Sequence, residues 1–179
     1  LCSIENVSLR YVSSKEELGI PDALIIPGTK NTLSDLKWLR AQGLDLEVSR
    51  IGKMGIPVIG ICGGYQMLGN SIIDKKGIES GSPGVYDGLG LLDVTTEFEE
   101  YAKLTRRVTA SIVGQGPILG RAHRLSLDGY EIHMGKSVLG PAARSAFKIR
   151  GLDDQAEVFD GASDDSGLIL GTYIHGLFD

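Results

Sequence analysis

Ile56-Pro57-Val58-Ile59-Gly60-Ile61-Cys62-Gly63-Gly64-Tyr65-Gln66-Met67-Leu68-Gly69 decides how this chain is read. The apolar run 56–61 ends on a single cysteine, two glycines follow directly, and a short stretch with helical character comes next. Strand, sharp turn, helix is the sequence form of a nucleophile elbow. Such a turn carries the side chain of Cys62 past the end of the sheet, while the glycines let neighbouring chain pass close and offer bare N–H groups. A cysteine at a helix N-terminus meets partial positive charge, so the thiol is expected to be lowered and the thiolate to be the nucleophile. The bland alternative is a buried cysteine closing a core strand. Glycines on both sides and the switch from strand to helix favour the nucleophile.

Working outward, residues 7–12 are expected as a strand, with Ser13 and Glu16 in capping-box spacing before one helical turn that Pro21-Asp22 ends. Residues 23–26 form a short continuous apolar run, the kind buried on both faces of a parallel sheet, and the run stops at Pro27-Gly28. Leu33, Leu36 and Leu39 set helical spacing over 32–41, capped by Asn31 or Thr32 and broken by Gly43; 44–53 is a second helix. The first seventy residues thus alternate strand and helix. The expected fold is α/β and flavodoxin-like: a mostly parallel sheet with helices on both faces. Ligands in such sheets sit at the carboxyl ends of strands, which is where Pro27-Gly28 and Cys62 stand.

The second half changes character. Gly77, Gly81, Gly84, Gly88 and Gly90 punctuate a turn-rich stretch, and strands are expected at 89–94, 107–112, 125–127 and 130–134. Strand following strand predicts an antiparallel extension of the sheet. Residues 161–167 are expected as a polar turn, and 168–174 as a last core strand stopping at His175.

A chain of 179 residues, 42% hydrophobic and 23% charged, has the balance of one ordinary globular domain. A net charge of -5 argues against a nucleic-acid or membrane-surface role. The two cysteines, Cys2 and Cys62, show neither disulfide-scaffold nor metal-ligand spacing, so no metal is expected and a reducing cytoplasm is the default. No GxxxxGK[ST] loop is present; if ATP is used, another domain or chain must bind it.

A thiolate nucleophile needs a base and an oxyanion site. His175 ends an apolar strand and precedes Gly176, as Cys62 ends one and precedes Gly63, and it is the candidate general base. His123 lies in a polar turn. His133 alternates with Glu131 in a strand, so both face one side, either the crevice or a polar outer face. The N–H of Gly63 is the candidate oxyanion donor that the elbow itself places, and that of Gly28 is the candidate second donor.

The stretch from Gly60 to Gly69 resembles the nucleophile motif of class I (triad-type) glutamine amidotransferases, in the branch that contains cobyric acid synthase and the cobyrinic acid diamide synthases. Four further ordered blocks resemble the cobyric acid synthase family: Pro21-Asp22-Ala23-Leu24-Ile25-Ile26-Pro27-Gly28-Thr29-Lys30-Asn31-Thr32 with Asp35-Leu36 and Trp38-Leu39-Arg40; Gly88-Leu89-Gly90-Leu91-Leu92; Gly129-Tyr130-Glu131-Ile132-His133-Met134-Gly135; and Gly171-Thr172-Tyr173-Ile174-His175-Gly176-Leu177-Phe178-Asp179. The resemblance implies Cys62 as glutaminase nucleophile, His175 as base, Gly28 and Gly63 as oxyanion donors, and Tyr65 and Gln66 lining the glutamine pocket. It implies that ammonia passes to an ATP- and magnesium-dependent synthetase domain, which amidates a corrin substrate, adenosylcobyrinic acid a,c-diamide. The position two after the histidine, a glutamate in most triad enzymes, is Leu177, which implies a Cys-His dyad with Glu131, His133 or Asp179 as accessory groups. The chain begins at Leu1 and stops four residues after His175, so residues 1–179 are read as one glutaminase domain excised from a longer protein whose synthetase domain lies N-terminal to it. Two alternatives stay open: the glutaminase subunit of the lipid II amidating complex, which shares this style of elbow, and a non-catalytic docking domain of the same fold.

Overall fold

The computed structural model describes residues 4–123, 125–152 and 156–178. In chain order a one-turn helix α1 (Lys15–Leu18) leads to strand β1 (Leu24–Ile26), then helices α2 (Thr32–Ala41) and α3 (Leu44–Lys53), strand β2 (Val58–Ile61) and the short helix α4 (Gly63–Leu68). Strands β3 (Ser71–Asp74), β4 (Gly84–Asp87), β5 (Val94–Phe98) and β6 (Leu104–Ile112) follow, then the single turn α5 (Gly116–Leu119). The chain finishes through β7 (Ser126–His133), β8 (Lys136–Leu139), β9 (Arg144–Gly151), β10 (Glu157–Ser163), β11 (Ile169–Thr172) and β12 (Ile174–His175).

Local chemistry accounts for the helices. Asn31 caps α2, its side chain accepting from Ser34 N at 2.8 Å, and Leu33, Leu36 and Leu39 bury one stripe while Trp38 stays exposed. In α3 the buried stripe is Leu44, Val48 and Ile51, with Asp45 and Glu47 in the first turn and Arg50 and Lys53 in the last, the charge order that complements the helix dipole. Asn31→Ala removes that cap and is expected to cost about 1 kcal/mol, read as a lowered urea midpoint with unchanged slope; an unchanged midpoint would show that the cap carries no weight.

Eight strands form one sheet in the order β1-β2-β11-β10-β9-β6-β7-β12, and four form a second, β4-β3-β5-β8. The pairs β1–β2 and β2–β11 are parallel, and the rest of the large sheet is antiparallel. Alternation along the parallel strands divides the core in two. Ile26, Val58 and Ile169 join Leu36, Ile51, Tyr65 and Leu68 from the helices, together with Ile72, Leu92 and Phe98 from the small-sheet side. Ile59 and Leu170 instead join Val108, Phe147, Ile149 and Leu119. Helices α2, α3 and α4 therefore cover one face, and the other closes on the sheet's own antiparallel half and α5.

The α/β class and the antiparallel extension are as expected, but the extension is the larger part, so the sheet is mixed. Residues 7–12 form no strand, because no strand among the described residues takes up their backbone groups; Arg10 instead bonds the carbonyls of Glu17 and Leu18. Ser13 pairs with Glu17, not Glu16. Residues 89–93 are turns, and the strand begins at Val94. The two strands expected at 125–127 and 130–134 are one, β7. The polar turn starts only at Asp164, since Gly161 to Ser163 belong to β10. The last strand breaks at Tyr173, where the chain leaves β2 and β10 to pair with β7.

Candidate active site

The elbow forms as the residues require. Cys62 sits at φ 53, ψ -111, a conformation rare for a residue with a side chain, between the end of β2 and the start of α4. Its N–H donates to Thr172 O at 2.8 Å and its carbonyl accepts from Gln66 N at 3.1 Å, so β11 and α4 grip it from both sides. The turn closes only on bare backbone: a Cβ on Gly60 would lie 2.7 Å from the Gly64 carbonyl, and one on Gly64 would lie 2.1 Å from Ile26 O.

Cys62 Sγ donates to Ile132 O at 3.3 Å, and His175 Nε2 reaches the same oxygen at 3.3 Å. Thiol and imidazole thus converge on one carbonyl of β7, although they come from strands 113 residues apart in sequence. Gly28 lies beside both, since a Cβ there would be 3.4 Å from Cys62 Cβ and 3.5 Å from His175 Cε1. The Gly63 N–H faces the thiol sulfur as a donor. The parallel pairing of β1 with β2, Ile26 opposite Gly60, is what brings Gly28 here.

The electrostatics differ from the expectation of a lowered thiol. Burial pushes the Cys62 thiol up, the Gly63 N–H and the Lys103 charge pull it down less strongly, and the negative Glu79 adds to the rise. Desolvation of the thiolate outweighs the groups that favour it. The alkylation rate of Cys62 by iodoacetamide is therefore expected to go on rising through and above neutral pH, because the reactive thiolate gains as pH rises. Glu79→Gln is expected to move that curve to lower pH. A plateau already reached at neutral pH would show a preformed thiolate instead.

Glu79 was not legible as part of the site. It is buried, its Oε2 accepts from Thr32 N at 2.7 Å at the N-terminus of α2, and its carbonyl accepts from Asn31 Nδ2 at 2.7 Å. Asp74 holds the turn that delivers it, accepting from the N–H groups of Ile78, Glu79 and Ser80. Those bonds hold the Asp74 carboxyl below its ordinary value although burial opposes them. The signal in the sequence was Asp74-Lys75-Lys76-Gly77-Ile78-Glu79-Ser80, a glycine turn between two carboxylates.

Two expected pocket-lining residues do not line an open surface. Tyr65 is 1% exposed, its ring edge-on to Tyr173 at 5.0 Å and pressed on Gly171. Gln66 is 2% exposed and committed: Oε1 accepts from Thr32 Oγ1 at 2.7 Å, and Nε2 donates to Met134 O at 2.8 Å and Tyr173 Oη at 3.2 Å. A large ring three residues after the nucleophile and an amide four residues after it reach inward because α4 lies on the sheet.

Glu131 and His133 share a face, as alternation requires, and that face points inward. Glu131 Oε2 accepts from Arg106 Nε at 2.6 Å and its Oε1 meets His133 Nε2 at 3.3 Å. Burial works against its ionisation, but the bonds from His133 and Arg106 outweigh it and hold the carboxyl low. Both oxygens of Glu131 are thus engaged, one with Arg106 and one with His133. The His133 ring stacks on Tyr173 at 3.9 Å. Leu177 packs into the second core cluster, so no carboxylate stands two residues after the base. Asp179 lies outside the described residues. His123 is exposed, its Nδ1 on Gly120 O at 2.8 Å. No helix among the described residues is long and apolar enough to cross a membrane.

Residues 1–179 match the family model described as the CobB/CobQ-like glutamine amidotransferase domain. The chain is 48% identical over 175 residues to a probable cobyric acid synthase of Methanosarcina mazei, covering 97% of this chain and 33% of that one. It is 50% identical over 181 residues to the cobyric acid synthase of Yersinia enterocolitica, covering all of this chain and 35% of that one. The chain thus spans about a third of the length of these curated relatives. Among solved structures, a glutamine amidotransferase aligns with TM-score 0.62 at 20% identity over 94% of this chain and 78% of its own. PurLQS from Thermotoga maritima aligns with TM-score 0.63 at 16% identity over 93% and 74%. At such identities these two speak for the fold alone. A cysteine elbow facing a histidine on this mixed sheet, with a family match along the whole chain, places the protein in the family of CobB/CobQ-like glutamine amidotransferase domains.

Proposed function

We propose that this domain hydrolyses glutamine through Cys62 and His175, and that the ammonia serves the amidation carried out by cobyric acid synthase in cobalamin biosynthesis. The observation that carries the reading is the convergence of Cys62 Sγ and His175 Nε2 on Ile132 O, with Gly28 and Gly63 alongside. Glutamine enters this crevice and displaces the resting contacts on Ile132 O. His175 takes the thiol proton as sulfur attacks the side-chain amide carbon, forming the C–S bond. The charge that develops on oxygen is met by the N–H groups of Gly28 and Gly63. Collapse breaks the C–N bond, and His175 returns the proton to the leaving nitrogen, giving ammonia and a glutamyl thioester. Water, deprotonated by His175, attacks the thioester; the C–S bond breaks, and glutamate leaves with the thiol restored.

ATP and magnesium are assigned to the synthetase part of the longer protein, since this chain carries no GxxxxGK[ST] loop. The partners in this reading are glutamine, that synthetase domain and, through it, the corrin carboxylates.

The test is intact-mass analysis after treatment with 6-diazo-5-oxo-norleucine, a glutamine-like alkylator, followed by peptide mapping. One adduct at Cys62, blocked by excess glutamine and slowed at least about a hundredfold in His175→Ala, is expected. Ordinary reactivity of Cys62 to iodoacetamide with no adduct from the glutamine analogue, in the isolated chain and joined to a synthetase domain, would move the reading to the non-catalytic docking domain.

A further inference from the structure

We propose that Asp160 is the positioning residue for His175: its carboxylate pins the point where the last strand changes partners and so carries the imidazole to Cys62. The inference rests on the reading of His175 as the base of Cys62.

The strand pairing creates a problem that Asp160 solves. β10 and β11 are antiparallel, with Ala162 opposite Gly171 and Ser163 opposite Leu170. The ladder ends there. Gly161 takes φ +69, and a Cβ on it would lie 2.4 Å from Gly171 O. β11 stops at Thr172, and two residues later the chain pairs with β7, Ile174 opposite Glu131 and His175 opposite Tyr130. A chain that leaves one partner for another strands the N–H groups at the crossing, and buried stranded donors are costly. Asp160 takes the first of them: Tyr173 N donates to its two oxygens at 3.3 Å each. The Thr172 hydroxyl donates to Asp160 Oδ2 at 2.5 Å and itself accepts from Ile174 N at 3.1 Å. Every donor between the end of β11 and the base is thus held by one carboxylate, directly or through one hydroxyl. Thr172 O also receives the Cys62 N–H, so the pinned residue is bonded to the backbone of the nucleophile as well.

A carboxylate is not kept in such a place for packing alone. Asp160 is 5% exposed and Thr172 fully buried. Burial lifts the Asp160 carboxyl to about 6, against the bonds from Thr172 and Tyr173. The groups that face it are Glu131 and His133 from β7, Tyr65 from α4 and its own partner Tyr173; Arg106 of β6 acts at one remove, through Glu131. Leu177 stands where a carboxylate would follow the base, and Asp160 acts instead on the backbone that bears the imidazole.

The experiment is a double-mutant cycle read by iodoacetamide alkylation of Cys62 in the intact chain, so that it does not depend on glutamine binding. Asp160→Ala is expected to slow alkylation about tenfold or more with His175 present, and to change it less than about twofold in His175→Ala. Asp160→Asn, which keeps an oxygen acceptor, is expected to recover most of the rate. Thr172→Val, nearly isosteric, breaks the relay to Ile174 N and is expected to follow Asp160→Ala; it carries the test should the alanine variant not fold. Equal slowing in both backgrounds would overturn the proposal, because the carboxylate would then be supporting the site at large. Alkylation of the parent chain that does not depend on His175 would overturn it too. Coupling seen with iodoacetamide but no labelling of Cys62 by the glutamine analogue, in the isolated chain and joined to a synthetase domain, would uphold the positioning role and sink the glutaminase reading instead.

Discussion

Cys62→Ala is expected to lower glutamine hydrolysis by about 10⁴-fold or more, and Cys62→Gly to do the same while being the more stable of the two. The first effect follows from the chemistry, since the sulfur of Cys62 is the atom that attacks. The second follows from the backbone. At φ 53, ψ -111 Cys62 holds the mirror image of an ordinary extended conformation, which is open to glycine and strained for any residue with a Cβ. Strain of this kind amounts to about 1–3 kcal/mol, more than the usual advantage of alanine over glycine, about 0.5–1 kcal/mol. Ammonia release from glutamine and urea unfolding of both variants check the pair. An alanine variant that keeps its activity would remove Cys62 from the mechanism. A glycine variant less stable than the alanine one would show that the surrounding chain relaxes and the elbow holds no strain.

Gly64→Ala is the second large effect, and it is a loss of both stability and activity. The new Cβ would lie 2.1 Å from Ile26 O, 2.7 Å from Ile26 C and 2.9 Å from Pro27 O. All three are backbone atoms at the end of β1, which cannot swing aside as a side chain can. Either α4 or the 26–28 segment must move, and each shift separates Gly28 from Cys62. A cost on the order of 3 kcal/mol is expected, which for a chain of this size is a fall in melting temperature of about 6–12 °C. Loss of alignment is expected to cost about a hundredfold in turnover. Gly81→Ala is the control: its φ is +80 but nothing lies within 4 Å of the added carbon, so only backbone strain of about 1 kcal/mol remains. Equal effects of the two substitutions would sink the steric argument.

Much of the site is local chemistry and was readable as such. The two helices 32–41 and 44–53 came out at the expected bounds because cap, apolar stripe and glycine break all lie within a dozen residues. The elbow around Cys62, the strand ending before Pro27-Gly28 and the strand ending near His175 were likewise legible, since an apolar run that stops beside a glycine is a one-dimensional signal. What failed is what depends on distant partners. Residues 7–12 alternate like a strand, yet a strand exists only where another offers its ladder. Glu79 and Asp160 carry no local sign of their burial, since the elements that enclose them come from elsewhere in the chain. The thiol was expected low from its helix and stands high from its burial, and Tyr65 and Gln66 turned inward because α4 rests on the sheet.

By itself the sequence determined which residues can do chemistry and where the chain must turn, because glycine spacing and apolar runs act over a few residues and have one local solution. Only the tertiary structure decided that β11 gives way to β12 at Tyr173, that Asp160 and Thr172 hold that crossing, and that Cys62 and His175 meet over the carbonyl of Ile132. These contacts join strands far apart in the chain. Their geometry is set by sheet register and by the cost of leaving a buried donor unpaired, and both are properties of the assembled fold rather than of any one stretch.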